Sequence, residues 1–456
     1  MNDRSATGFF RHRIFWGCVV LVAIMVPWIY LSLLAHDVLP GPIEGIDFLF
    51  GVMLVLSYVG LWGFVIVISR TPGLMGLRAF GTTFTVVVIL LMLELPAMFK
   101  WVHWTLVFRS LSGEGADYQT AYVLDRELSF RRIPGLHWTG RPASDIEEAY
   151  GLPRSLKEPI TFTYDRWGYR NATEMAQADI VLIGDSYVEG WYVSDEQTVA
   201  SQLTTRLSRP VANLGIAGYG TIQEQHVLQG DAWNRSPQVI AWFFFEGNDL
   251  YDDQSYENYL VGEPPKEEQQ TPHPEGLARN HGWEKRSFFH NAFRWIRRWS
   301  HPLVPNRAPY WAYWKNPGGS LERVYFFDYG SVPWTEYEES RWARARASFE
   351  MGLAFAREQG IEVILVYVPT KYRVYRDVIE VPPGSPLEHW DVWTMLPKQF
   401  RNLCTSVSIP CIDLTDRFQQ AIREGKRVYA PTDTHWSAEG HAIVADELER
   451  VLRTLE

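Results

Sequence analysis

The chain has 456 residues, a formal charge of −10 and a pI near 5.7. That balance excludes a nucleic-acid partner, because no basic stripe is available to meet phosphates. The 46% hydrophobic share is ordinary, but nearly all the long apolar runs fall before residue 100, so a membrane region ahead of a polar one is expected.

Three of those runs reach the roughly 20 apolar residues that a spanning helix needs. They are 14–35 and 48–69, which carry no charge, and 79–99, with Glu94 and Pro96 toward its end. The first is too long for a cleaved signal peptide and lacks a small-residue cleavage site. Glu94 reads as a carboxylate near the far interface, with a functional intramembrane acid as the sharper alternative. Lys and Arg stay on the cytoplasmic side. Arg4, Arg11 and Arg13 precede the first span, Arg70 and Arg78 separate the second and third, and "HDVLPGPIEGID" between the first two has none. The pattern predicts an inner-membrane protein with a cytoplasmic amino terminus, a transmembrane region over 1–104, and everything after Phe99 periplasmic or extracellular. Trp101 and Trp104 fit the aromatic belt at that exit.

Residues 105–178 form a mixed connecting region in which "ITFTYDRWGYRN" reads as a hairpin. From Asp179 short apolar runs alternate with amphipathic stretches, the signature of a parallel α/β sheet. The expected strands are "DIVLIG", "VANLGIAG", "QVIAWFFFEG", "IEVILVYVP" and "SIPCIDL". Val199, Leu203 and Leu207 recur at helical spacing before the second strand, and Trp342, Phe349 and Leu353 before the fourth, where Gly360 can end the helix. Five such strands predict a flavodoxin-like doubly wound parallel sheet over 179–456. An aromatic-rich insertion at 251–340, with six tryptophans and little periodicity, interrupts it.

The first strand breaks at Gly184-Asp185-Ser186. A serine there either caps the following helix or is a nucleophile at the carboxyl end of a strand, where open α/β sheets place their sites. The ends of the next two strands supply Gly218 and Asn248, a backbone N–H and an amide N–H suited to an oxyanion hole. The base comes from "DTH": His435 takes the serine proton and Asp433 fixes its tautomer. His226 and His441 also follow an acid by two residues, but in helical stretches such neighbours point apart. The plainer reading of His435 is a loop histidine beside the helix-starting Ser437. Four blocks in this order favour catalysis.

The blocks "GDSY", "NLGIAG", "GND" and "DTH" resemble those of the SGNH, or GDSL-type, hydrolase superfamily, in the same chain order. The resemblance spans roughly 179–456 and implies Ser186 as nucleophile and Asp433–His435 as its base. It also implies an oxyanion hole from the Ser186 N–H, Gly218 and Asn248. Two features depart from the pattern: Tyr187 replaces the usual leucine, and the acid lies two residues before the histidine where many family esterases have three. The "DTHW" spacing is similar to that of alginate O-acetylation proteins.

The expected function is an extracytoplasmic serine esterase that removes acyl groups, acetyl first, from a cell-envelope or exported polysaccharide. An O-acetyltransferase using the same triad is the alternative. A non-catalytic glycan-binding module of an export complex, resting on the insertion's tryptophans, is the reading of a different class. A two-metal phosphoesterase would recruit Asp185, Asn248, Asp433 and His435 as ligands, but the chain offers no paired histidine motif beside them. No metal and no cofactor is called for. The expected partners are an acylated carbohydrate or small ester, the lipid bilayer, and export or acetylation proteins.

Three further features are weaker. Cys404 and Cys411, with six residues between them in an oxidising compartment, can form a disulfide or remain buried thiols, while Cys18 stays reduced within the first span. Lys371 and Tyr375 in "PTKYRVY" line the cleft or are merely solvated. "FFHNAFRWIRRWSH" interleaves aromatic and basic residues, for packing or for a membrane surface.

Overall fold

The computed structural model describes residues 122–142, 144–150, 152, 155–156, 158–261, 287–289, 291–292, 310–327, 329 and 333–455, with Glu94 and Trp104. The three expected spans otherwise lie outside the described residues, and among those described no helix is long and apolar enough to cross a membrane. The chain divides into two units, Met1–Ser112 with Leu277–His301, and Gly113–Gly276 with Pro302–Glu456. Within the first, Glu94 Oε2 accepts the Phe289 N–H at 3.3 Å, and Trp104 meets Phe288 edge-on at 4.9 Å. Part of the insertion therefore groups with the amino-terminal stretch.

The second unit is built on a five-stranded parallel sheet. Its strands, numbered within that sheet, are β1 Ile180–Ile183, β2 Val211–Asn213, β3 Val239–Phe245, β4 Glu362–Val368 and β5 Cys411–Asp413. The order is β5-β4-β3-β1-β2, the flavodoxin-like winding that the sequence predicts. Strand order reverses at β1, so the carboxyl ends of β2 and β3 flank it and open a crevice there.

The sheet is covered on both faces, and its inner strands β1 and β3 are apolar at every position for that reason. Side chains alternate across a strand. Ile180, Leu182, Phe243 and Val366 therefore pack toward Leu203 of helix α3 (Val199–Leu207), Phe418 of α9 (Leu414–Arg423) and Leu448 of α10 (Ala438–Leu455). Val181, Ile183, Trp242 and Phe244 pack toward Phe349 of α6 (Glu336–Glu358) and Phe400 of α8 (Met395–Val407). Four shorter helices complete the unit: α1 Asp145–Tyr150, α2 Ser186–Glu189, α4 Thr221–Val227 and α7 Lys371–Tyr375. The helix α5, Asp249–Leu260, follows β3.

Two expectations are corrected. "ITFTYDRWGYRN" does not fold on itself: Ile160–Thr163 pairs antiparallel with the upstream His137–Gly140. After it the Asp165 carboxylate accepts the Trp167 and Tyr169 N–H groups at 2.9 and 3.0 Å, closing a tight turn in place of a second strand. Gly168 serves that turn at φ +81°, where a Cβ would stand 2.4 Å from the Arg132 carbonyl oxygen. The insertion, in turn, is not irregular throughout. Tyr310–Lys315 and Leu321–Phe326 form an antiparallel hairpin, with Ile379–Glu380 as its third strand. Its alternate residues Ala312, Trp314, Val324 and Phe326 join the core on the α3 face. Cys404 and Cys411 are disulfide-bonded, with 6.1 Å between Cα atoms, and staple the end of α8 to the start of β5.

Candidate active site

The residue after β1 that caps α2 is Asp185, whose carboxylate accepts the Tyr187 N–H at 2.9 Å. Ser186 is therefore the first residue of the helix, and its hydroxyl is not needed as a cap. It lies 2.8 Å from His435 Nε2 and only loosely contacts Asp185 Oδ2, at 3.4 Å. His435 Nδ1 lies 2.6 Å from Asp433 Oδ1, which also accepts the His435 backbone N–H at 2.8 Å. The two-residue spacing thus places the acid against both N–H groups of one histidine. With Nδ1 protonated toward Asp433, Nε2 is left to accept the serine proton.

Electrostatics favour this assignment. Burial raises the Asp433 carboxyl, but the His435 charge and hydrogen bonds outweigh it and hold the acid below the ordinary carboxylate range. Burial works against the His435 imidazolium, yet the charges of Asp433, Asp145 and Asp185 prevail and hold it up at about 8. A base of that strength is well matched to taking a hydroxyl proton near neutral pH. Ser186 retains 8% exposure.

The loop that carries the base closes on itself through Ala430 N–H to His435 O at 3.0 Å and Ser437 N–H to Val428 O at 2.9 Å. Three side chains that the sequence reading did not assign hold it. Tyr187 donates its hydroxyl to Thr434 O at 2.7 Å and packs 5.0 Å from the His435 ring, which accounts for tyrosine where the resembling family has leucine. Lys371 is buried, correcting the solvated reading. Its ammonium donates to the carbonyls of Ala430, Pro431 and Asp433 at 2.6, 3.0 and 3.0 Å. Burial pushes its pKa down to about 7 against the pull of Asp433 and Asp145. Tyr375 is buried in the core beside it. Asp145, from α1, accepts the Thr434 N–H at 3.1 Å.

Gly218 and Asn248 follow β2 and β3, on either side of the β1 end. Gly218 takes φ +86° in the turn after β2, a backbone that a side chain disfavours. The turn is fixed by Glu189 of α2, whose Oε2 accepts the Ala217 N–H at 2.7 Å. Glu189 is itself held by Arg132 at 2.7 and 3.0 Å, both side chains fully buried. Asn248 starts α5. Its amide donates one hydrogen to Asp252 Oδ2 at 2.6 Å, and among the described residues the second hydrogen has no partner.

Asp145, Asp433 and His435 each offer a ligand atom within 4.8 Å of the others, the one such group among the described residues. Both ring nitrogens of His435 are already engaged, so a cation there would have to break the relay. Of the other two proposed ligands, Asp185 spends its carboxylate on capping α2, and Asn248 donates its amide to Asp252.

Residues 335–456 match the family described as SGNH hydrolase-like domain, acetyltransferase AlgX. "Probable alginate O-acetylase AlgJ" of Pseudomonas fluorescens is 33% identical over 97 residues, 21% of this chain and 23% of that protein. The chain thus spans about a quarter of that relative's length. Among solved structures, a G-D-S-L family protein from Desulfitobacterium hafniense is 12% identical, covering 60% of this chain and 98% of its own, with a TM-score of 0.33. The psychrotrophic esterase EstA from Pseudoalteromonas sp. is 9% identical over 60% of this chain and 97% of its own, with a TM-score of 0.31.

Proposed function

We propose that this chain, an SGNH hydrolase-like protein acting on acyl esters, forms an acyl-enzyme at Ser186 and passes the acyl group to a hydroxyl of an exported polysaccharide. The observation that carries the reading is the relay itself, 2.8 Å from Ser186 Oγ to His435 Nε2 and 2.6 Å from Nδ1 to Asp433. In the first step the Ser186 oxygen attacks the ester carbonyl while its proton moves to His435 Nε2. The oxyanion is met by the Ser186 N–H, the Gly218 N–H and the Asn248 amide. Collapse expels the alcohol with the proton that His435 holds. In the second step His435 takes the proton of an incoming hydroxyl, which attacks the acyl-serine and releases Ser186. The triad serves water and a sugar hydroxyl alike, so the acceptor decides between esterase and transferase. We favour the sugar because the matching family is described as an acetyltransferase and the matching relative as a probable alginate O-acetylase. Acetyl is the acyl group we expect for the same reason.

The domain's place outside the cytoplasm, tethered by spans near 14–35, 48–69 and 79–99, belongs to the same proposal. Its support is the asymmetry of arginines around those runs and the Cys404–Cys411 bridge, which suits an oxidising compartment. The test is acetate release from a synthetic acetyl ester by the full-length protein, with and without carbohydrate acceptors. Ser186→Ala and His435→Ala should abolish turnover and a chelator should not alter it. Turnover that survives in Ser186→Ala, or a chelator-sensitive rate restored by metal, would overturn the reading. A reporter active only outside the cytoplasm, fused at Glu456, should work; activity of a cytoplasmic reporter at that position contradicts the placement.

A further inference from the structure

We propose that Asp145 is a positioning residue for the Ser186–His435–Asp433 relay: it clamps the Asp433–Thr434 segment and sets a second carboxylate beside the imidazole. The inference rests on the functional reading above only for its kinetic consequence. Asp145 lies 288 residues before Asp433 in sequence, in the connecting region, yet three of its polar atoms serve the loop. Its own N–H donates to Asp433 Oδ2 at 3.3 Å, its Oδ1 accepts the Thr434 N–H at 3.1 Å, and its Oδ2 accepts the Thr434 hydroxyl. With Tyr187 on the Thr434 carbonyl, every polar group of Thr434 is held. Within its own helix Asp145 Oδ1 also accepts the Ile146 N–H at 2.7 Å, while the cap of that helix is Ser144, whose Oγ accepts the Glu147 N–H at 3.2 Å.

A neutral amide would make the same contacts, since its oxygen accepts the Thr434 N–H and its nitrogen donates to the Thr434 hydroxyl oxygen. The carboxylate is the costlier choice, because it faces Asp433 at close range. Burial, then the Asp433 charge, push Asp145 up to about 7, against the pull of His435. Its charge therefore appears over the pH range in which His435 becomes a base. The other titratable groups that feel it are Lys371 from α7, Tyr187 from α2 and Tyr329 from the insertion. When ionised, Asp145 favours the imidazolium, so its removal must lower the His435 pKa and move the acid limb of the rate profile to lower pH.

The test uses full-length protein carrying isotope-labelled histidine, with the His435 signal identified by its loss in His435→Gln. In Asp145→Asn the NMR titration midpoint of His435 should fall by about one pH unit and kcat on an acetyl ester, measured above pH 8.5, by about tenfold, the loss of base strength alone. In Asp145→Ala the midpoint should fall likewise and kcat should drop by about 100-fold or more, the clamp being lost as well, with KM little changed. A midpoint unmoved in Asp145→Asn overturns the proposal, as does wild-type kcat in Asp145→Ala. The titration is read whether or not an ester is consumed. A shifted midpoint in a protein that turns over no ester would therefore sink the functional reading and leave the clamp standing.

Discussion

Asp433→Asn should be far milder here than removal of a triad acid usually is, and the hydrogen bonds of this site say by how much. Loss of about 10⁴ is the expected cost where the amide turns its NH₂ to the histidine and forces the wrong tautomer. At this site Oδ1 accepts two N–H groups of His435, at 2.6 and 2.8 Å, whereas Oδ2 accepts one from Asp145 at 3.3 Å. An amide oxygen therefore belongs in the Oδ1 position, where it keeps two donors, and its NH₂ takes the Oδ2 position, giving up only the longer contact with the Asp145 N–H. Tautomer and geometry survive, and what is lost is charge. A His435 held at about 8 falls toward the ordinary value of about 6.5, a change of about 2 kcal/mol or about 30-fold in base strength. The sign fixes the pH dependence. The charge of Asp433 raises the His435 pKa, so its loss moves the rising limb of kcat/KM to lower pH. The full deficit should show above pH 8. Near pH 6 about 1% of wild-type His435 is neutral against about a quarter in the variant, and the two rates should nearly meet. The assay is acetyl-ester turnover from pH 5.5 to 9.5 with folding checked by circular dichroism. A loss near 10⁴ that is flat with pH would show that the amide flips and turns its NH₂ onto His435.

Asn248→Ala should lower kcat by about 100-fold or more with KM little changed, through loss of one oxyanion donor; an unchanged kcat would remove Asn248 from the hole. Tyr187→Phe deletes the donor to the buried Thr434 carbonyl and should cost about 1–3 kcal/mol of stability, seen as a lower Tm. An unaltered Tm and rate would make that tyrosine mere packing. Cys404→Ser should cost about 2–3 kcal/mol, the loop entropy of a short bridge, and mass spectrometry of the unreduced protein should find no free thiol at Cys404 or Cys411. Free thiols at both positions would refute the bridge.

The wound sheet was legible because each strand is a short apolar run bounded by glycine or proline, and burial on two faces demands that composition. The Ser186–His435–Asp433 hydrogen-bond relay was legible because its members sit at one strand end and in one loop with characteristic neighbours. The partner of Ile160–Thr163 was not, since either adjacent segment can satisfy a four-residue edge strand and only the Asp165 turn decides between them. The insertion's hairpin escaped notice for a different reason: aromatic residues occupy both of its faces, which blurs the period of two, although "NPGGS" between the strands marked the turn. Lys371 is invisible to sequence as a loop clamp, because nothing in "PTKY" announces three carbonyls converging on one ammonium. Asp145 is harder still, in a stretch without periodicity, joined to the site only by the fold.

The central claim is an acyl-enzyme at Ser186 that a sugar hydroxyl resolves. The most direct measurement is to load the full-length protein with an activated acetyl ester, locate the acetyl group by mass spectrometry, and follow its decay as polysaccharide is added. The account predicts acetyl on Ser186, a decay that quickens with glycan, and acetylated sugar as product. A decay indifferent to every glycan would leave an esterase, and the absence of any acetyl-Ser186 would contradict the account outright.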